Sequence, residues 1–139
     1  MAPLGYIEML DSKGNVVERT RIDSFPIHIG RAYSNEVVID DAYVCPAHVI
    51  IELNDRGSLI ARDLNSVNGL RLGSGKKKRV GILELNSGSQ FQIGHTILRY
   101  RCFDHPLAPT LLDRENDASF FGSPHVAAFA GLLVFALLC

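Results

Sequence analysis

The chain has 139 residues, enough for one globular domain with little left over. Its 14 Lys and Arg residues against 15 Asp and Glu residues leave a net charge of -1, so no overall basic field is present to hold a nucleic acid. The 3 cysteines are widely spaced and include no CxxC pair, which favours free thiols in a reducing compartment over a disulfide framework. No basic segment followed by an apolar run is present at the N-terminus, so we expect no secretory signal.

Short runs rich in β-branched and aromatic residues follow one another from Tyr6 to Arg101, separated by turns rich in Gly, Asn and Ser. The first two runs, YIEML and VVERTRI, flank DSKGN, which is typical of a hairpin connection. They are followed by FPIHIG, EVVID, HVIIEL, SLIARDL, GLRL, SQFQIG and TILRYR. Strands this short at such regular spacing, with no helical pattern among them, predict an all-β sandwich or barrel.

The composition changes after the last of these runs. Residues 104–119 contain prolines and an acidic, polar stretch, and they are predicted to be a linker that leaves a domain of residues 1–103. Residues 120–139 are mostly apolar, and from His125 to Cys139 one polar residue is followed by 14 apolar ones. As a helix, this last part would span about 22 Å, less than the roughly 30 Å hydrocarbon core of a bilayer. We interpret 120–139 as an apolar helix that anchors the protein in a membrane, or as the first span of a longer membrane protein. The alternatives are a helix packed on the domain, which should show a polar face, and a self-association element.

Four stretches taken together carry a more specific signal than any one of them alone. They are IGRAYSNEVVIDD, VCPAH, DLNSVNG and the closing LNSGSQFQIGHTILRYR. Their order and spacing resemble the forkhead-associated (FHA) domain, a β-sandwich that binds phosphothreonine peptides. The family pattern has Gly-Arg opening a loop, a Ser three residues before a His, and then Asp-x-x-Ser-x-Asn-Gly. The resemblance covers roughly Gly5 to Arg101, and it implies an FHA-like antiparallel β-sandwich.

Arg31 follows Gly30 at the end of an apolar run, so its guanidinium should project from a loop. A planar, always charged fork suits bidentate binding of phosphate or carboxylate. The alternative is a surface arginine that caps the sandwich or pairs with Asp40 or Asp41. The resemblance implies that Arg31 binds the phosphate and that Gly30 supports the loop.

Asn68 and Gly69 lie between two predicted strands. Gly69 suits a tight connection whose backbone needs positive φ. The amide of Asn68 can both donate to and accept from the backbone of an extended peptide, and the resemblance implies that it does so. Stabilisation of the local turn is the alternative.

Cys45 and His48 could be a nucleophile and its base, half of a metal site, or part of the scaffold. Residues three apart on an extended strand point to opposite faces, so a catalytic pair would need a bend at Pro46. Two ligands from one loop are too few for a metal site. The resemblance implies that His48 is structural and holds the recognition loops.

Two positions depart from the family pattern. The Ser position of the phosphate pocket is Cys45 and the Thr position is Val67, so a weak donor and an apolar side chain replace two hydroxyls. Arg31 alone remains of the phosphate-contacting set, and phosphate binding is predicted to be weakened. Ser34 and Asn35 are nearby candidates for a compensating hydroxyl or amide.

The basic run KKKR at 76–79 suggests a second anionic-ligand site at first sight. If the strands before it run up and down in succession, the lysines lie at the end of the sandwich away from NSVNG. We therefore interpret the run as a solvated hairpin.

Three functions compete. The first is a non-catalytic interaction module that weakly binds a threonine-phosphorylated protein and is attached to a membrane by its tail. The second is a phosphate-independent scaffold that uses the same loops on an unmodified protein, and the third is a thiol enzyme using Cys45. No cofactor, metal, nucleic acid or small-molecule substrate is expected. The free thiols and the usual habitat of the family favour a sandwich facing the cytosol at a membrane, with a soluble cytoplasmic protein as the alternative.

Overall fold

The computed structural model describes residues 3–73, 78–104 and 106–110. Eleven β-strands and no helix are found in these residues. The strands are β1 (Gly5–Leu10), β2 (Val16–Ile22), β3 (Ile27–Gly30), β4 (Val37–Val38), β5 (Val49–Leu53), β6 (Leu59–Asp63), β7 (Leu70–Leu72), β8 (Arg79–Val80), β9 (Ile82–Glu84), β10 (Gln90–Ile93) and β11 (Thr96–Cys102). The all-β prediction is confirmed.

The strands form two sheets. The first has the order β2-β1-β11-β10-β7-β8 and the second the order β4-β3-β5-β6-β9. The paired strands are antiparallel except for β3 and β4, where Ile29 lies beside Val37 in a parallel register. Because β4 has only two residues, the short loop 31–36 is enough to bring the chain back alongside β3. The predicted antiparallel sandwich is thus correct apart from this one edge pair.

The hairpin predicted at DSKGN joins β1 to β2. Asp11 organises the turn, because its Oδ1 accepts the backbone N–H of Lys13 at 2.9 Å and that of Asn15 at 2.8 Å. A short acidic side chain that bonds to backbone two to four residues ahead is a recurrent way to close such a turn. The turn chemistry visible in the sequence therefore determines this connection.

The core lies between the inner faces of the two sheets. In β11, Leu98 and Tyr100 point inward and are 0% and 8% exposed, while Arg99 and Arg101 point outward, so the alternation seen in the sequence is confirmed. The first sheet contributes Ile7, Ile22, Leu70, Phe91, Ile93 and Leu98 to the core, and the second contributes Ile27, Ile29, Val37, Val49, Ile51 and Ala61. Burial of these side chains is the main stabilising contribution to the sandwich.

An ion cluster lies on the outer face of the first sheet and joins three of its strands, β2, β1 and β11. The buried carboxylate of Glu8 accepts from Arg19 at 2.8 Å, from Arg99 at 2.9 Å and from Arg101 at 3.3 Å. Burial alone would raise the pKa of Glu8, but the hydrogen bonds and charges of Arg19 and Arg99 outweigh it and lower the pKa. Glu8 is therefore ionised in the folded protein at neutral pH, and it holds the register of the three strands.

Four connections meet at one end of the sandwich, which we call the loop end. They are residues 31–36 after β3, 39–48 before β5, 64–69 between β6 and β7, and 94–95 between β10 and β11. The backbone N–H of Arg31 donates to the Cys45 carbonyl oxygen at 3.0 Å, and that of Leu64 donates to the His48 carbonyl oxygen at 2.9 Å. The two-sheet topology thus brings together segments that are far apart in the sequence.

The chain continues past β11 along the outer face of the first sheet. The carbonyl oxygen of Ala108, in the predicted linker 104–119, accepts a hydrogen bond from Arg19. The apolar helix predicted for 120–139 lies outside the described residues. Within the part of the chain that the structure describes, no helix is long and apolar enough to cross a membrane.

Candidate functional site

Arg31 lies at the loop end with its guanidinium exposed. Its Nε donates to the Val44 carbonyl oxygen at 3.0 Å, which fixes the direction of the side chain. No ion pair joins Arg31 to Asp40 or Asp41 in the described residues, so the pairing considered from the sequence is not found. The outer edge of the guanidinium, formed by its two Nη atoms, is left without a hydrogen bond to any described residue. Arg31 is therefore an oriented cation that faces solvent.

The first two loops approach closely at Gly30 and Pro46. A Cβ atom on Gly30 would lie 2.2 Å from the Pro46 carbonyl oxygen, so glycine is needed there. Asn35 closes the crossing, because its Nδ2 donates to the carbonyl oxygens of Ala32 and Pro46, both at 2.7 Å. The amide nitrogen of Asn35 is thereby used within the protein, and its Oδ1 is the atom left for a ligand. Ligand contacts by Asn35 and by the exposed Ser34 stay predictions.

His48 connects two of the loops from the inside. It is fully buried, its Nδ1 accepts the backbone N–H of Cys45 at 3.0 Å, and its Nε2 lies 2.8 Å from the Gly69 carbonyl oxygen. These partners assign the tautomer, since Nδ1 must be the acceptor and Nε2–H the donor. His48 therefore bonds the backbone of loop 39–48 to that of loop 64–69.

The thiol of Cys45 has a different partner. Its Sγ accepts the backbone N–H of Val67 at 3.4 Å. A catalytic pair needs a ring nitrogen that can take the thiol proton, and both nitrogens of His48 are bonded to backbone instead. Cys45 and His48 are thus joined through the backbone of Cys45 and not through its thiol. Among residues 3–73, 78–104 and 106–110, no group of His, Cys, Asp and Glu side chains is arranged to hold a metal ion.

The loop 64–69 is shaped by a short side-chain network. Ser66 is 5% exposed; its Oγ donates to Asp63 and accepts the backbone N–H of Gly69 at 2.9 Å. Asn65 and Gly69 both have positive φ, 59° and 78°, so the residues between them are held in a tight bend. Ser66 was not predicted as a site residue, although it is the Ser of the Asp-x-x-Ser-x-Asn-Gly pattern.

The bend presents Val67 and Asn68 at the surface. The side chain of Val67 is 77% exposed and carries no donor. Nδ2 of the exposed Asn68 donates to the Tyr43 carbonyl oxygen at 2.8 Å, which leaves its second N–H and its Oδ1 available. Asn68 is thus anchored on one side and open on the other.

Asp41 joins the loop end to the β10–β11 turn. Its Oδ2 accepts the backbone N–H of His95 and the hydroxyl of Thr96, both at 2.8 Å, and its Oδ1 accepts the N–H of Tyr43 at 2.8 Å. Burial would raise the pKa of Asp41, but these donors outweigh it and lower the pKa. The rings of Tyr43 and His95 lie against each other with centroids 4.2 Å apart. No signal in the sequence pairs Tyr43 with His95, which are 52 positions apart along the chain.

Arg79, the last residue of the KKKR run, corrects the interpretation of that run. Its Nη1 donates to the Val67 carbonyl oxygen at 3.1 Å and its Nη2 to the Ser66 carbonyl oxygen at 2.7 Å. Only the lysines were predicted to lie away from NSVNG; Arg79 reaches that loop, because β7 has only three residues and a long side chain on β8 reaches back across it. Lys78 is exposed, and Lys76 and Lys77 lie outside the described residues.

Residues 27–94, which contain the loops 31–36, 39–48 and 64–69, match the FHA domain family. This chain contains an FHA domain.

Solved structures of FHA domains share the fold at low sequence identity. One from a study of phosphothreonine-dependent FHA domain interactions is 23% identical with a TM-score of 0.59, over 74% of this chain and 98% of that chain. The FhaA FHA domain complexed with the intracellular domain of a second protein is 22% identical with a TM-score of 0.57, over 70% of this chain and 99% of that chain. EmbR of Mycobacterium tuberculosis, in complex with a low affinity phosphopeptide, is 21% identical with a TM-score of 0.59, over 74% of this chain and 26% of that chain. A comparison with curated protein sequences gives no match.

The structure of this FHA domain brings most of the sequence-predicted site residues together. Arg31 is bonded to the backbone of Val44 and Cys45, and Cys45 is bonded in turn to Val67. Asn68 follows Val67 and is bonded to loop 39–48 at Tyr43. The oriented cation, the thiol and the amide therefore belong to one connected surface at the loop end.

Proposed function

We propose that this FHA domain is a non-catalytic interaction module that binds phosphothreonine peptides through its loop end. The observation that carries the proposal is the guanidinium of Arg31, which is held by its Nε and faces solvent with both Nη atoms unbonded to any described residue. Such a fork can bind two phosphate oxygens at once. Because Arg31 is oriented before a ligand arrives, little side-chain entropy is lost on binding.

Asn68 supports the peptide part of this proposal. Its anchored amide keeps one N–H and one oxygen free, and these two groups match the C=O and N–H of an extended peptide backbone. The contact with Tyr43 keeps the amide at the surface of the loop end. A ligand held by Arg31 and Asn68 would therefore be recognised by its phosphate and by its backbone.

The phosphate site is weaker than one built from two hydroxyls. The Cys45 thiol is a poor donor, and the Val67 side chain has none. A hydrogen bond to a charged group contributes about 1.5–3 kcal/mol, so two lost bonds lower affinity by roughly a hundredfold to ten thousandfold. We expect dissociation constants for phosphothreonine peptides well above those of a site with both hydroxyls.

A second candidate is a phosphate-independent scaffold, and exposed apolar surface at the loop end favours it. Tyr33 is 93% exposed, Val67 is 77% exposed and Tyr43 is 53% exposed. Large exposed aromatic side chains are typical anchors of protein interfaces. They would bind an unmodified partner as well as a phosphorylated one. The thiol enzyme receives no support, because His48 cannot accept the Cys45 proton while its nitrogens hold the backbone.

Membrane attachment through 120–139 remains part of the proposal. The apolar composition of these residues supports it, and they lie outside the described residues. A tethered reader would meet membrane-bound partners at a raised effective concentration, which compensates a weak site.

Calorimetric titration of the full chain in detergent tests the proposed function. A phosphothreonine peptide library and the same peptides without phosphate are compared, with Arg31→Ala as the site variant and Arg62→Ala as the control. Arg62 is an exposed arginine on β6 paired with Glu52 at 2.7 Å, so the control removes the same charge elsewhere. Binding that requires phosphate and Arg31, and that survives loss of Arg62, supports the phosphopeptide reader. Equal binding of both peptide sets supports the scaffold.

A further inference from the structure

Arg79 contacts one loop of the proposed binding site but is not among the residues proposed to bind the ligand. It begins β8, and its guanidinium reaches the loop that carries Val67 and Asn68. A Cβ atom on Gly69 would lie 2.3 Å from its Nε, so the side chain passes directly over Gly69. The side chain is 47% exposed, and Nη2 also lies 3.8 Å from a carboxylate oxygen of Asp63. Arg79 is thus seated on the loop 64–69 by several contacts.

The two carbonyl groups that Arg79 holds are consecutive. Nη2 bonds the carbonyl oxygen of Ser66 and Nη1 that of Val67. In a trans peptide unit the C=O and the following N–H point in opposite directions. The N–H groups of Val67 and Asn68 must therefore point away from Arg79.

The observed bond of Val67 agrees with this geometry. Its N–H points to Sγ of Cys45, which lies in the loop bonded to Arg31. The N–H of Asn68 has no hydrogen-bond partner among the described residues. Two successive backbone N–H groups turned to one side form a concave donor set that suits an anion.

We propose that Arg79 is a positioning residue of the phosphothreonine site. It holds the Ser66 and Val67 carbonyls so that the N–H groups of Val67 and Asn68 face the ligand. Sulfur is a weak acceptor, so a phosphate oxygen would replace Cys45 Sγ on the N–H of Val67 and would also accept the N–H of Asn68. These are hydrogen bonds that the side chain of Val67 cannot make. This inference rests on the proposed function, and it assigns to the KKKR run a role that its last residue performs.

Titration of the full chain with a phosphothreonine peptide tests the inference through three variants. Arg79→Met keeps the length of the side chain and removes the fork, and Arg79→Lys keeps one cation. Lys78→Met is the control, because it removes an exposed charge from the neighbouring position. We expect Arg79→Met to weaken binding at least about tenfold and Arg79→Lys to lie between it and wild type. Lys78→Met should stay within about threefold of wild type.

Amide NMR spectra of the same proteins separate positioning from a merely structural role. The Val67 and Asn68 N–H resonances should move to higher frequency on addition of the phosphopeptide in wild type and Lys78→Met, and should not do so in Arg79→Met. The remaining amides and the thermal unfolding midpoint report whether each variant is folded. If Arg79→Met is unfolded, Arg79→Lys decides by the same two measurements.

Wild-type affinity in Arg79→Met, or weakened affinity with the two ligand-induced shifts retained, would overturn the inference and leave the proposed function in place. A wild-type protein that binds no phosphothreonine peptide would overturn the proposed function and this inference with it.

Discussion

Replacing Cys45 by serine and Val67 by threonine should strengthen the binding of phosphothreonine peptides by this FHA domain. The Cys45 Sγ lies 3.4 Å from the backbone nitrogen of Val67, so the thiol is next to the residue on the adjacent loop. Serine gives a stronger donor at nearly the same volume, and threonine adds a hydroxyl where valine has a methyl group. Both hydroxyls would face a phosphate bound by Arg31.

The magnitude follows from the exposure of the two positions. A bond to a charged group contributes about 1.5–3 kcal/mol, but a threonine at a position that is 77% exposed is hydrated before binding, so about 1 kcal/mol is expected there. Serine replaces a weak donor and not a missing one, so its gain is also about 1 kcal/mol. The sum of about 2 kcal/mol corresponds to about thirtyfold tighter binding.

Calorimetric titration of the double variant with one phosphopeptide library measures this gain. Val17→Thr with Cys102→Ser makes the same two chemical changes away from the loop end, and its affinity should stay within about twofold of wild type. Adding Arg31→Ala to the double variant should remove the gain, because the hydroxyls orient a charge that Arg31 neutralises. An unchanged affinity in the double variant, or a gain that survives loss of Arg31, would show that these loops do not form a phosphate pocket.

Three further predictions concern stability, reactivity and the tail. Asp41→Asn should destabilise the protein by about 1–3 kcal/mol in urea, because one of the three donors on the carboxylate would meet an amide N–H. Since the pKa of Asp41 is below its ordinary value of 3.8, its stabilisation is complete above that pH and is lost as pH falls through the folded pKa. The stability gap between wild type and the variant should therefore narrow as the pH falls below 3.8 and through the folded pKa, and a gap that stays constant there would contradict this account. A thiol reagent at neutral pH should label Cys45 no faster than Cys102, as judged by mass spectrometry, and preferential labelling of Cys45 would revive the enzyme hypothesis. Residues 1–105 alone should be strand-rich by circular dichroism and stay in solution with liposomes, whereas the chain that includes 120–139 should sediment with them; a full chain that does not sediment would refute the anchor.

The sandwich could be predicted from the sequence because its signals are local. Alternation in TILRYR separates Leu98 and Tyr100 from Arg99 and Arg101, and Asp11 and Gly14 close a hairpin by contacts within a few residues. The order of the Gly-Arg, His and Asn-Gly motifs then indicated which loops would matter. None of these inferences needs to know which strand lies beside which.

The chemistry of the loop end was decided by tertiary structure. The sequence was compatible with Arg31 binding either a ligand or a neighbouring carboxylate. In the structure, the carboxylate of Asp41 accepts hydrogen bonds from His95 and Thr96 in a distant hairpin and does not pair with Arg31. Likewise, the sequence alone indicates a solvated turn at the KKKR run. The register of β8 beside β7 places the side chain of its last residue, Arg79, over Gly69.

These contacts join residues that are 10 to 55 positions apart in the chain. Alternation and turn residues determine the direction of a side chain at its own strand or turn, and that information is contained in a few neighbouring residues. Whether two long polar side chains meet depends on strand order, register and rotamer together, and only the folded chain specifies all three.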